Sequence, residues 1–212
     1  AANRQAPLAV LTPSTNYAWR IDTVNPAATV ASATWTFTTA APPNQAPALA
    51  AIADRSVIAG QTLGFTAAAS DPDLPAQQLA FSLQGGPPGA SIHPASGAFA
   101  WRPTQAQAPG IYPMTATVLD NGTPPLSSQR GFTVQVTAPV KPVITSSGFN
   151  ATGAFKFQVT GDPGPDYRVW GSVDLSSWII LRTFPQAVTP FWFEDTDAQN
   201  HPRRFYKLDM GP

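Results

Sequence analysis

The 212-residue chain contains no cysteine, so neither a disulfide framework nor thiol chemistry is open to it. Charge is scarce, at 11% of residues, and balances at formal zero. The only lysines are Lys141, Lys156 and Lys207, and the only glutamate is Glu194. A neutral chain this poor in lysine has no electrostatic footprint for nucleic acid and no polybasic run for an anionic membrane. No apolar run approaches the roughly 20 residues of a membrane span. The polar opening Asn3-Arg4-Gln5 is unlike a signal peptide. Catalytic patterns are missing too: there is no nucleophile elbow, glycine-rich phosphate loop or metal-binding histidine pair. The two histidines, His93 and His201, each precede proline in an expected turn. With a single glutamate, paired-carboxylate hydrolysis would have to recruit aspartates from turns. The expectation is a chain without catalysis of its own.

What is abundant is proline, at 24, beside 15 glycines and a hydrophobic fraction of 43%. That is too apolar for a disordered chain. Proline blocks helix interiors but is tolerated at strand edges and turns. Together with many Val, Thr and Phe residues it predicts short strands and tight turns, hence an all-β chain; the resemblances given below imply tandem immunoglobulin-like β-sandwiches. Few lysines and one glutamate point to an exported bacterial module. The expected boundaries are 1–40, 44–138 and 139–212, with the first sandwich incomplete and Ala40-Ala41-Pro42-Pro43-Asn44-Gln45-Ala46-Pro47 as a stiff linker.

In the first forty residues Tyr17, Trp19 and Ile21 alternate with Ala18, Arg20 and Asp22, the pattern of a half-buried strand. A second strand over 33–39 sets Trp35 and Phe37 against Thr34, Thr36 and Thr38, with a turn at Asn25-Pro26 between. The spacing Leu11-Thr12-Pro13-Ser14-Thr15-Asn16-Tyr17 resembles the fibronectin type III family, in which the tyrosine forms a corner. Only the last strands of such a domain are covered. Tyr17 and Trp19 are expected in the core.

The stretch 44–138 reads as a complete sandwich of seven short strands. Leu63, Phe65 and Ala67 face inward, as do Leu79, Phe81 and Leu83; Tyr112, Met114, Ala116 and Val118 alternate, and Phe132, Val134 and Val136 close the module. Turn signals lie at Gly60-Gln61, Gly85-Gly86-Pro87-Pro88-Gly89, Ser96-Gly97 and Asn121-Gly122. The segments Ser70-Asp71-Pro72-Asp73, Pro87-Pro88-Gly89-Ala90-Ser91-Ile92, Ser96-Gly97-Ala98-Phe99-Ala100-Trp101-Arg102-Pro103-Thr104 and Val118-Leu119-Asp120-Asn121-Gly122 follow in order. On these the module resembles the cadherin-like, dystroglycan-type or putative Ig repeats of large extracellular proteins. The resemblance implies Ca²⁺, held in cadherin-type repeats by a D-x-D pair, a later aspartate and linker residues. Asp71, Asp73 and Asp120 match, and Asn44 offers a linker oxygen. Neither the entry linker nor the exit Thr137-Ala138-Pro139-Val140-Lys141-Pro142 carries an acidic ligand. The competing reading makes Asp71 and Asp120 turn residues that cap backbone amides.

In the last module, strands are expected around Val143-Ile144, Phe155-Lys156-Phe157, Tyr167-Arg168-Val169-Trp170, Phe191-Trp192-Phe193 and Phe205-Tyr206-Lys207-Leu208. The segments Asp174-Leu175-Ser176-Ser177-Trp178, Pro190-Phe191-Trp192-Phe193-Glu194-Asp195 and Pro202-Arg203-Arg204-Phe205-Tyr206-Lys207-Leu208 resemble a small β-sandwich that ends many large secreted bacterial proteins. No activity is implied by that likeness. Asp195-Thr196-Asp197 lacks the glycine of an EF-hand and is expected to be a solvated turn. Trp192 and Trp170 are candidates for stacking on a sugar, against the alternative that both are buried.

Three functional expectations follow. The leading one is a set of non-catalytic spacer or adhesion modules, extracellular and secreted or cell-surface, at the C-terminal end of a larger protein. Their partners are neighbouring domains of the same polypeptide, with polysaccharide or another surface protein beyond them. The second is an accessory carbohydrate-binding module of a secreted polysaccharide-degrading enzyme. The third is a filament subunit whose incomplete first sandwich is finished by strand addition.

Overall fold

The computed structural model describes residues 10–24 and 27–211. The Asn3-Arg4-Gln5 opening and the Asn25-Pro26 turn lie outside the described residues. Apart from two single-turn 3-10 segments the described chain is strand, turn and loop, so the all-β expectation holds. It divides into two compact units, Ala1–Gln45 and Ala46–Pro212.

The first unit contains β1 (Asn16–Trp19), β2 (Asp22–Val24), β3 (Thr29–Ala31) and β4 (Trp35–Thr38). β1 pairs antiparallel with β4, and β2 with β3. The register sets Tyr17 opposite Phe37 and Trp19 opposite Trp35, and each pair stacks, with centroids 5.7 and 4.7 Å apart. The Thr12 amide donates to the Tyr17 hydroxyl at 2.8 Å, a tyrosine tied to backbone five residues upstream. Trp19 is not core: it is 48% exposed, and Trp35 and Phe37 are each 44% exposed. Alternation chose the shared aromatic face, but two-stranded sheets have too little surface to bury it.

The second unit starts with β5 (Ala48–Leu49), β6 (Arg55–Ile58), β7 (Leu63–Thr66), β8 (Ala69–Ser70) and β9 (Ala80–Gln84). β10 (Ser91–Ile92), β11 (Ala98–Trp101), β12 (Gly110–Leu119) and β13 (Ser127–Thr137) complete its first sandwich. One layer runs β6-β13-β12-β9 and the other β10-β11-β7, with a β5-β8 bridge beside them. β12 pairs with β13 over its whole length, from Gly110↔Val136 to Leu119↔Ser127. β6 joins β13 in parallel, Val57 opposite Val136. The period-two side chains Met114, Ala116, Val118, Phe132, Val134 and Val136 all point into the core, where they meet Phe99 and Trp101 from the other layer. Each large side chain removed from water there contributes roughly 1.5–3 kcal/mol.

The remaining strands are β14 (Val143–Phe149), β15 (Phe155–Thr160), β16 (Asp166–Ser172), β17 (Ile179–Phe184), β18 (Phe191–Asp195) and β19 (Phe205–Gly211). They form two three-stranded layers, β14-β15-β18 and β17-β16-β19. Phe157, Val159, Val169 and Phe193 fill the space between, with Leu181, Tyr206 and Leu208 packed against them. β18 alternates cleanly: Phe193 and Asp195 are buried while Trp192 and Glu194 face out.

Candidate functional site

Asp71 and Asp73 sit in the loop that leaves β8, and Asp120 directly follows β12. Asp71 Oδ1 accepts the Asp73 amide at 2.9 Å, and Asp73 Oδ2 accepts Gln77 Nε2 at 2.9 Å. Asp120 is only 3% exposed, and its Oδ1 accepts the amides of Gly122 at 3.0 Å and Leu126 at 2.9 Å. The Gln78 amide donates to Asn121 Oδ1 at 2.9 Å, which ties the two aspartate loops together. The contacts of Asp71 and Asp120 each satisfy a turn amide, as the capping reading requires, whereas Asp73 takes a side-chain amide. Asn44 belongs to the first unit and is half-buried.

The donors are of the kind a hard cation takes, and Asp71 Oδ2 is buried with no hydrogen-bond partner. Yet among the described residues no three carboxylate or histidine groups gather closely enough to hold a metal ion. These loops offer a partial oxygen set, not a closed cage.

Trp192 and Trp170 lie in opposite layers of the C-terminal sandwich, so they do not make one platform. Trp192 is 50% exposed on the outer side of β18, opposite Gln158 of β15, with the Lys156 ammonium 5.1 Å from its ring centroid. Trp170 is half-buried, and its indole N–H is buried without an acceptor. Its ring is approached by Lys207 at 5.1 Å and Arg168 at 5.8 Å, and Lys207 also sits 4.4 Å from the Trp178 ring. Such cation–π contacts hold a ring in place and compete with a sugar for its face.

The Asp195-Thr196-Asp197 segment departs from expectation. Asp195 is 6% exposed, not solvated. Its Oδ2 accepts the Tyr206 hydroxyl at 3.0 Å, and its Oδ1 accepts the Asp197 amide at 3.0 Å. Arg204 reaches both carboxylates, 2.8 Å from Asp195 and 3.2 Å from Asp197, while His201 Nε2 lies 2.8 Å from Asp197 Oδ2. Burial, and then the bond to Asp195, push the Tyr206 phenol well above its ordinary value. Hydrogen bonds from Asn200 and His201 hold the Asp197 carboxyl below its own. A signal for this was present in the sequence: Phe191, Phe193 and Asp195 share one parity, so Asp195 follows the inward face.

A shallow cavity of about 320 Å³ beside this cluster is lined by Ser172, Ser177, Ile179, Asp197, His201 and Arg204. In the adjoining loop Asp174 accepts the amides of Ser176 and Ser177 at 2.9 and 2.8 Å. Those two amides, most of all that of Ser177, depress its carboxyl far below the usual range. Its charge is thus spent on holding the turn.

Residues 46–137 match the family model described as "Putative Ig domain". No curated protein matches the chain. Among solved structures the chain is similar to human CDH23 EC21-23, at 18% identity and a TM-score of 0.42, covering 69% of this chain and 57% of that one. It is similar to mouse cadherin-23 EC22-24 at 14% identity and a TM-score of 0.42, covering 92% and 72%. A third likeness is to a nucleoside hydrolase-related hypothetical protein from Saccharophagus degradans that is associated with carbohydrate metabolism. There the identity is 23% and the TM-score 0.36, covering 44% of this chain and 26% of that one. The chain thus spans little more than half the length of the first of these structures and about a quarter of the third. With that family match and a packed two-layer core, residues 46–137 are an immunoglobulin-like β-sandwich.

Proposed function

We propose that this chain supplies non-catalytic structural modules, spacers or adhesion units, to a larger secreted or cell-surface protein. The modules on this reading are the strands within 1–40, the sandwich 44–138 and the sandwich 139–212. The observation that supports it most is how the polar groups are used. Asp71, Asp120, Asp174 and Asp195 each accept turn amides, and both sandwich interiors are filled by side chains. A group committed to its own turn is a poor acid, base or nucleophile. Among the described residues no helix is long and apolar enough to cross a membrane. The test is replacement, in the intact parent protein, of 46–211 by an unrelated stiff sandwich pair of similar length. Retained function supports a spacer, and loss of function that only the native modules restore supports adhesion; substrate turnover by 46–211 on its own overturns the non-catalytic reading.

Carbohydrate binding is a second reading, and one observation favours it: Trp192 stands 50% exposed on a sheet face beside Lys156 and Gln158. A polysaccharide pull-down with the parent and Trp192→Ala decides it. Retention that disappears in the variant supports it, and equal retention or none at all rejects it.

Calcium at Asp71, Asp73 and Asp120 is supported by the partnerless, buried Asp71 Oδ2. An ion there would draw most of its roughly six to eight oxygens from backbone and water. Melting curves with low-millimolar Ca²⁺ and with EDTA test it; coincident midpoints remove the metal.

A further inference from the structure

Segment 138–142 joins the two sandwiches of the second unit, and a short proline-punctuated linker alone leaves two domains free to swing. Here the junction is crossed by side chains instead. Arg102 leaves β11 between two residues that are almost wholly buried, Trp101 and Pro103. Its Nε donates to the Gly60 carbonyl of its own sandwich at 2.7 Å. Its Nη2 donates into the next sandwich, to the Gly164 carbonyl at 3.0 Å and to Asp166 Oδ1 at 2.6 Å. Gln61 Nε2 donates to the Pro163 carbonyl at 2.8 Å, and Asp162 Oδ2 accepts the linker amide of Val140 at 2.7 Å.

The backbones beneath these bonds are fitted, not merely tethered. Gly60 has φ 91° and Gly164 φ 107°, both in the left-handed region that glycine enters without strain. A Cβ on Gly60 would stand 2.7 Å from Pro165 Cα, and one on Gly164 would stand 2.4 Å from Gln61 Cγ. Each sandwich therefore needs a bare backbone where the other presses against it. The Arg102 and Asp166 side chains are 26% and 22% exposed, so water and salt screen their attraction only in part.

We propose that Arg102 is the latch of a metal-free joint that holds the two sandwiches at one fixed angle. The exit from the first sandwich, residues 137–142, contains no carboxylate to bind an ion, and the guanidinium supplies the cation from within the chain. The planar fork spreads its N–H donors over separate nitrogens and so spans acceptors on both sandwiches, whereas an ammonium has to make its three bonds from a single point. The joint is independent of whether the modules act as spacers or bind a sugar.

The absence of native cysteine allows spin labels at Ser82→Cys and Ala151→Cys, both exposed, one in each sandwich and neither in the Asp71–Asp73 loop. Pulsed electron spin resonance on the whole chain then reads the distance distribution between the sandwiches. The parent should give a single narrow distribution that EDTA does not alter. Arg102→Ala should widen it at least twofold, and Arg102→Lys should widen it partly, with near-ultraviolet circular dichroism showing both sandwiches still folded. Should Arg102→Ala fail to fold, Asp166→Ala and Gln61→Ala give the same reading from the other side. A broad distribution in the parent, a parent that broadens with EDTA, or narrow distributions in every folded variant would overturn the joint.

Discussion

The Arg204 guanidinium lies 2.8 Å from the Asp195 carboxylate where the two side chains are only 9% and 6% exposed. The Nε–H is out of hydrogen-bond alignment with that oxygen, so the contact is chiefly one of charge. Removing one partner of a buried pair strands the other in a poor solvent for charge, at a cost of about 3–5 kcal/mol. Arg204→Ala should therefore lower the melting temperature of the C-terminal sandwich sharply. Arg204→Lys should recover part of the loss. A melting temperature unchanged by Arg204→Ala would show that Asp195 is adequately held by Tyr206 and the Asp197 amide alone.

Phe99 is 2% exposed, stacked on Phe65 at 4.7 Å and edge-on to Phe132 at 5.6 Å. It links the two layers of the first sandwich. Phe99→Ala leaves a cavity there and should cost about 3–5 kcal/mol. Urea unfolding should show an earlier midpoint at an unchanged slope.

The joint at Arg102 should be sensitive to acid. Burial alone would raise the Asp166 carboxyl, but the Gln186 amide, Arg102 and the charge of Arg168 outweigh it and hold the group below 3.8. A carboxyl depressed in the folded state stabilises at pH above its unfolded value, and the contribution is lost as pH falls through the folded value. The inter-sandwich distance distribution should hold constant from about pH 8 to 5 and widen only below about 4, whereas in Asp166→Asn it should not follow that transition.

The two candidate tryptophans should separate by experiment. Acrylamide should quench Trp192, at 50% exposure, far more readily than Trp101, at 1%. Trp170→Ala should destabilise the C-terminal sandwich by about 1 kcal/mol or more beyond Trp192→Ala, because it loses a half-buried ring and two cation contacts. Equal effects would mean that Lys207 and Arg168 do not brace the Trp170 ring.

The candidate sites were legible only in part. Asp71 and Asp120 could be read as turn-capping residues, because a carboxylate two residues from an amide acts locally. The burial of Asp195 could have been read from its parity with Phe191 and Phe193, but its ion partner could not. Arg102 and Asp166 are 64 residues apart, and no local pattern links them.

The sequence by itself determined that the chain is built of strands, and which side of most strands is apolar. Met114-Ala116-Val118 and Phe132-Val134-Val136 needed only period-two alternation, a property of each strand taken alone. What that alternation faces was decided by tertiary structure. The same pattern buried Val134 completely and left Trp19 half in water, because burial depends on a second layer that alternation does not specify. The parallel seat of β6 beside β13 and the guanidinium across the junction are likewise long-range matters, set by how finished surfaces meet.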